Sequence, residues 1–159
     1  MKIVDNFLIE KNFIKLKKEI FKQTFPWYYN DTKSLEKDNN FQFVHIFYLE
    51  GKILSPYWNT IAAPILNKLD AKKLIRVKAN LTTKKDKKYK SAMHVDTSVN
   101  KSKTAVYYCN TNNGYTIFDS GKEVASKENR IVIFDSFLKH CGADCTDENI
   151  RVVININYI

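Results

Sequence analysis

Arg151-Val-Val-Ile-Asn-Ile-Asn-Tyr158 is a run dominated by β-branched residues, and three shorter runs of the same character precede it: Thr104-Ala-Val-Tyr-Tyr-Cys109, Tyr115-Thr-Ile-Phe118 and Arg130-Ile-Val-Ile-Phe134. Segments of this content and length read as strands. Turn formers separate them at residues 110–114, 120–121 and 136–142. Short strands so closely spaced fold back on one another as an antiparallel sandwich or barrel. The tetrapeptide Ile-Phe-Asp-Ser begins at both Ile117 and Ile133, too short a match to make a repeat.

Outward from this block, residues 42–49 and 73–82 carry the aromatic and β-branched content of two further strands. Between them Ser55-Pro56 is a helix start, serine as cap and proline in the first turn, and the helix runs to about Leu69 with a kink at Pro64. Nearer the N-terminus, Phe13, Leu16, Ile20 and Phe21 recur at helical spacing with lysines between them, an amphipathic helix over residues 10–23. The fold class is therefore α+β, mainly antiparallel β, with the N-terminal helices packed on one sheet. A chain of 159 residues suits a single domain, residues 1–159, with a helical support region over about 1–70 and a β core over about 73–159.

Alternation along the last strand puts Arg151, Val153, Asn155 and Asn157 on one face and Val152, Ile154 and Ile156 on the other. An arginine turned into a barrel calls for an anion, because burying an unpaired charge is costly. Upstream, Ser91-Ala-Met-His94-Val-Asp96-Thr97 holds one of only three histidines, with a carboxylate two positions on. Residues i and i+2 of an extended segment share a face, so imidazole and carboxylate can converge on one cation. His140, which follows the strand signal ending at Phe134, completes the set. His94, Asp96 and His140 make the facial triad typical of non-haem Fe(II), with positions left open for co-substrate and oxygen.

Other chemistry-bearing residues have plainer readings. His45 lies inside a strand as a packed side chain. Asp119 and Asp135 have no histidine two residues away and read as turn residues. Cys109, Cys141 and Cys145 with His140 lack the paired short spacings of a zinc site, although Cys141, beside a ligand, is open to self-oxidation.

The net charge of +9 comes almost wholly from lysine, since only Arg76, Arg130 and Arg151 among 26 basic residues are arginines. A guanidinium is a planar bidentate fork and an ammonium a hydrated point charge, so each of the three arginines invites its own explanation. Hydrophobic residues at 44% and aromatic at 13% are the composition of a packed globule, which excludes a disordered chain. The N-terminus starts like a signal peptide, but Asp5 and Glu10 break the apolar run, and no stretch approaches membrane-spanning length. With an odd number of cysteines, the expectation is a cytoplasmic protein with no membrane contact. Two loops stand out: the polar stretch of residues 30–40, after the aromatic cluster Phe25-Pro-Trp-Tyr-Tyr29, and the basic stretch of residues 84–90, just before His94. With the first helices, both are expected to choose the substrate; the basic one reads first as a solvated loop and, more sharply, as a lid over an acidic ligand, and the aromatics first as core packing and, more sharply, as the lining of a cavity mouth.

Taken in order, His94-x-Asp96, a gap of strands, His140 and then Arg151 resemble the 2-oxoglutarate and Fe(II)-dependent oxygenases, particularly the prolyl 4-hydroxylase-like group. The likeness covers roughly Arg76 to the C-terminus, and Phe25-Pro-Trp-Tyr-Tyr29 is also similar to small oxygenases encoded by marine phages. The resemblance implies a double-stranded β-helix core of the jelly-roll or cupin type. It implies Fe(II) on His94, Asp96 and His140, and 2-oxoglutarate as co-substrate with its distal carboxylate on Arg151 and Tyr107, Tyr108 facing the other way. Molecular oxygen and, as an auxiliary reductant, ascorbate complete the implied set. The activity it implies is a dioxygenase that hydroxylates a peptide or protein side chain, proline first, with release of succinate and CO2. The protein would act as a monomer or weak dimer in the cytoplasm, the host's if phage-encoded.

Two rivals stand beside that reading. Positive charge suits a nucleic-acid-directed oxygenase, but the demethylases of this superfamily carry a second arginine six residues beyond the first, and here that place is Asn157. Nucleic acid is therefore the less favoured partner. The other rival is a non-catalytic β-barrel binding module in which lysines and aromatics suffice for salt-sensitive binding.

Overall fold

A computed structural model describes residues 1–33 and 40–159. Among these residues eight strands form one sheet and three another. The large sheet contains β1 (Lys2–Val4), β2 (Tyr28–Asn30), β3 (Gln42–Leu49), β4 (Lys52–Ile53), β5 (Leu74–Thr83), β6 (Lys103–Tyr108), β9 (Arg130–Asp135) and β11 (Ile150–Tyr158). Its order is β1-β9-β6-β11-β5-β3-β2, with β4 beside β3, and every pairing is antiparallel. The small sheet is β10-β7-β8, from β7 (Tyr115–Phe118), β8 (Glu123–Ala125) and β10 (His140–Ala143). Two isolated bridges, Lys90 to Ala143 and His94 to His140, lay the segment carrying the His-x-Asp motif along β10 as a broken fourth strand.

The large sheet is covered on both faces, and β11 is accordingly buried almost throughout, polar Arg151, Asn155 and Asn157 included. On its outer face Val77, Ala79, Ala105, Tyr107, Ile131, Ile154 and Ile156 pack against Leu16 and Ile20 of α1 (Glu10–Ile20) and Ile65 and Leu66 of α2 (Ala63–Leu69). On its inner face Val106, Tyr108, Val132, Phe134 and Val153 meet Phe118 and Val124 of the small sheet. Helices on one face and a second sheet on the other make the α+β sandwich that the strand spacing leads one to expect.

The first seventy residues supply strands β1 to β4 as well as helices, and three of these strands extend the large sheet at its two ends. The second helix differs from expectation too. Ser55 does accept the Tyr57 N–H at 3.1 Å, but regular structure begins later, as a π-helical turn over Trp58–Ala62. Pro64 then opens α2, in the first turn where its missing N–H is not needed. The wide turn is how the chain absorbs that missing donor, since the Ala63 N–H reaches back to the Trp58 carbonyl. No helix among the described residues is long and apolar enough to cross a membrane.

Candidate active site

The two bridged segments bring His94 and His140 side by side, each donating its backbone N–H to the other's carbonyl at 3.0 Å. Their rings lie 5.0 Å apart, centroid to centroid. Each Nδ1 faces a carbonyl two residues back, Ala92 at 3.0 Å and Leu138 at 2.9 Å. A carbonyl can only accept, so both Nδ1 atoms carry the proton and both Nε2 atoms are left with a lone pair. Asp96 meets them there: its carboxylate is 3.4 Å from His140 Nε2 and 4.0 Å from His94 Nε2. Donor atoms of the three residues all lie within 4.8 Å of one another, a spacing that can hold one metal ion.

The carboxylate is fixed from the large sheet. Asn155 on β11 donates to Asp96 Oδ2 at 3.0 Å and Arg76 on β5 to Oδ1 at 3.3 Å. Burial raises the Asp96 pKa, but the surrounding donors and positive charge, Asn155 and Arg76 among them, outweigh it and hold the group ionised. The His94 pKa is lowered too, by burial first, so its imidazole is neutral in the physiological range, as a ligand must be.

A cavity of about 340 Å³ runs from this group between the two sheets. Its floor is two facing rows set by register: Asn155, Val153 and Arg151 of β11 opposite Lys78, Asn80 and Thr82 of β5. Arg151, at the far end, is only 6% exposed. Its Nε donates to Ser126 Oγ at 2.9 Å, its guanidinium lies over the Tyr108 ring, and among the described residues no carboxylate pairs with it. Three buried polar atoms along these rows, Asn80 Oδ1, Thr82 Oγ1 and Asn155 Oδ1, have no hydrogen-bond partner among the described residues. Unsatisfied polar atoms and an unpaired buried guanidinium are costly in a bare protein and well placed to meet an elongated anionic ligand.

Tyr107 corrects one expectation. It belongs to the outer face of β6, paired with Ile154, where it packs edge-on to Phe7 and donates to Asn129 Oδ1 at 2.9 Å. Tyr108, paired with Val153, is the one turned toward Arg151. Strand alternation is the reason: neighbouring residues of a strand look to opposite faces, and Tyr107 looks outward. Tyr108 does not line the cavity either, since its hydroxyl is spent on Thr116 Oγ1 at 2.8 Å.

His45 is structural, its Nδ1 donating to Pro26 O at 2.8 Å and its Nε2 2.7 Å from the Ser55 hydroxyl. Of the aromatic cluster, Phe25 and Trp27 join the core and Tyr28 and Tyr29 are exposed on β2, so none of these four lines the cavity, whereas Asn30, Thr32 and Lys33 after them do. No residue of 84–90 lines it, and Lys88 and Lys90 lie over the Tyr115 ring. Of the loop over residues 30–40, residues 34–39 lie outside the described residues, while Lys33 reaches into the cavity wall to pair with Asp144 at 2.6 Å. Asn157 accepts from Arg76 Nε at 3.1 Å. Arg76, Lys78, Asn80 and Thr82 were legible as a period of two polar residues alternating with Val77, Ala79 and Leu81.

By sequence, no family model and no curated protein matches the chain. By structure, the described geometry superposes on a prolyl hydroxylase from Trichoplax adhaerens, solved with a peptide fragment of the hypoxia-inducible factor oxygen degradation domain, at a TM-score of 0.69 and 10% identity over 99% of this chain and 82% of that one. A non-haem α-ketoglutarate-dependent epimerase from nogalamycin biosynthesis gives 0.64 at 11% identity over 99% and 76%. A Pseudomonas putida prolyl 4-hydroxylase gives 0.62 at 12% identity over 99% and 90%. The fold is that of the 2-oxoglutarate and Fe(II) oxygenases. Its core is their double-stranded β-helix, and the oxygenase fold carries epimerases as well as hydroxylases, so reaction and substrate must be argued from the site.

Proposed function

We propose that the chain is a 2-oxoglutarate- and Fe(II)-dependent dioxygenase that hydroxylates a peptide or protein side chain, proline the first to test, releasing succinate and CO2. One observation carries this reading. Two imidazole Nε2 atoms and a carboxylate converge at one end of a cavity whose other end is an unpaired, buried arginine. That donor set suits Fe(II), and the spacing suits a dicarboxylate lying between metal and guanidinium.

Iron held by His94, Asp96 and His140 would supply the oxygen and redox chemistry that side chains lack. The chain's own residues do the rest. The Ala92 and Leu138 carbonyls aim both imidazoles, and Asn155 and Arg76 aim the carboxylate. Arg151 binds the distal carboxylate of 2-oxoglutarate, and Thr82, its register partner with an unsatisfied hydroxyl, takes the second-donor role first assigned to Tyr107. Val106 and Val153 give the channel its apolar wall and limit water.

The test is an anaerobic titration with Fe(II) and 2-oxoglutarate, watching for the visible charge-transfer band of the chelated co-substrate. The expected result is a band in the wild type and, for Arg151→Ala, an affinity for 2-oxoglutarate lower by about tenfold or more. A folded protein that gives no band would instead be the binding module.

A further inference from the structure

The charges that line the cavity do not cancel. Asp144 is paired with Lys33 and Asp96 with Arg76, which accounts for both lining carboxylates. Lys78 and Arg151 are left with no carboxylate within 4.0 Å among the described residues. The two cations sit at opposite ends of the floor: Lys78 faces Asn155 beside the metal ligands, and Arg151 faces Thr82. Lys78 is close enough to feel the charge of Asp96 and to disfavour a charge on His94. Burial first, then Arg76, brings its pKa down to about 8. One dicarboxylate has one distal carboxylate, which Arg151 takes, and its other end chelates the metal. The carboxylate at that end would have its charge, with that of Asp96, balanced by the divalent ion, so the second stranded cation at the metal end still lacks an anion of its own. Next to Lys78 on the same face, Asn80 Oδ1 has no donor among the described residues, so a group bound there is best matched if it brings an N–H or O–H donor with it.

We propose that Lys78 is a specificity-determining residue: it receives an oxyanion, carboxylate or phosphate, carried by the primary substrate beside the carbon that is hydroxylated. In a peptide this is an acidic side chain, a terminal carboxylate or a phosphorylated residue next to the target, with its amide N–H directed at Asn80. The inference rests on the oxygenase reading for the assignment of Arg151 to the co-substrate.

The experiment loads the protein with Mn(II) and saturating 2-oxoglutarate and titrates in acetate or inorganic phosphate, reading the broadening of the anion's 13C or 31P resonance by the metal. Wild type, Lys78→Arg and Lys78→Met are compared, with their co-substrate affinities measured in parallel. The expected result is broadening in wild type and Lys78→Arg, reduced about tenfold in Lys78→Met, while 2-oxoglutarate affinity is retained in all three. The probe that shows the larger Lys78-dependent broadening tells carboxylate from phosphate. Equal broadening in wild type and Lys78→Met overturns the inference and leaves the oxygenase reading standing. Loss of co-substrate affinity in Lys78→Met but not in Arg151→Ala also overturns it, because Lys78 would then be the co-substrate's anchor. Failure of the wild type to bind 2-oxoglutarate at all sinks the oxygenase reading itself, a result seen before any anion is added.

Discussion

Gly114 sits where the Arg151 side chain passes. A Cβ there would stand 2.7 Å from Arg151 Cδ and 2.8 Å from the Ala143 carbonyl, and the carbonyl cannot step aside as a flexible side chain could. Gly114→Ala should therefore destabilise the protein by about 1–3 kcal/mol and shift the guanidinium, weakening 2-oxoglutarate binding. Denaturant unfolding and the co-substrate titration read the two effects separately. Tyr107 is the converse case. Its hydroxyl serves Asn129 on the far side of the sheet, so Tyr107→Phe should cost about 1 kcal/mol in unfolding and leave co-substrate affinity unchanged. A tenfold loss of affinity would restore Tyr107 to the site. Lys78 carries a pH signature. Its folded pKa, about 8 against the ordinary 10.5, means that the unfolded chain holds the proton more tightly. The penalty is thus fully present below about 8 and fades as the pH climbs to 10.5. Lys78→Met should be more stable than wild type by about 1–3 kcal/mol at neutral pH, and melts at rising pH should show that advantage shrink.

Among the elements, Asn129 is what fastens the start of the chain to the sheet. At φ 57° it places its side chain to bond both the N–H and the C=O of Leu8, at 2.8 and 2.9 Å, just ahead of α1. Asn129→Ala leaves both groups unpaired and puts alanine in a left-handed conformation, so about 2–4 kcal/mol should be lost. Hydrogen exchange should show β1 and the first turn of α1 opening before β11. Nothing in the sequence marks Asn129, because its partners lie some 121 residues away. The same limit explains what else could be read and what could not. The strands Gln42–Leu49 and Tyr115–Phe118 were legible to the residue, since half-buried strands of β-branched and aromatic residues announce themselves locally. Glu123–Ala125 and Lys2–Val4 were not, being three-residue edge strands that exist only through their neighbours. The convergence of His94, Asp96 and His140 was legible because two of the three are two residues apart. The Tyr107 assignment failed because which face of a central strand looks inward depends on what covers each side, and both sides of this sheet are covered.

At the scale of the molecule, the candidate metal site is the point where the two sheets and a long connection are tied together. His140 stands on the small sheet, Asp96 is held by β11 and β5 of the large one, and His94 belongs to the connection between β5 and β6, which meets β10 through isolated bridges and the Ser91 bonds to Gly142. An ion bound by all three cross-links parts that otherwise meet through few hydrogen bonds, and it binds only the folded chain, whose ligands converge. Free metal at a hundred times its dissociation constant should then stabilise the fold by about 2.7 kcal/mol, which for a chain of this size raises the melting temperature by about 5–11 °C. Anaerobic calorimetry with Fe(II), or with Mn(II) as a redox-silent substitute, should show that rise and its reversal by chelator. His94→Ala should abolish the response while leaving the metal-free melting temperature nearly where it was, because the ring is one of the more exposed members of the group and packs mainly on His140. The new hydrogen-exchange protection should concentrate in residues 91–97 and β10, where the cross-link acts, rather than in β11, which is buried and fully paired without it. A protein whose melting temperature ignores every first-row divalent cation would show that the three side chains meet without forming a metal centre, and the oxygenase reading would fall with that result.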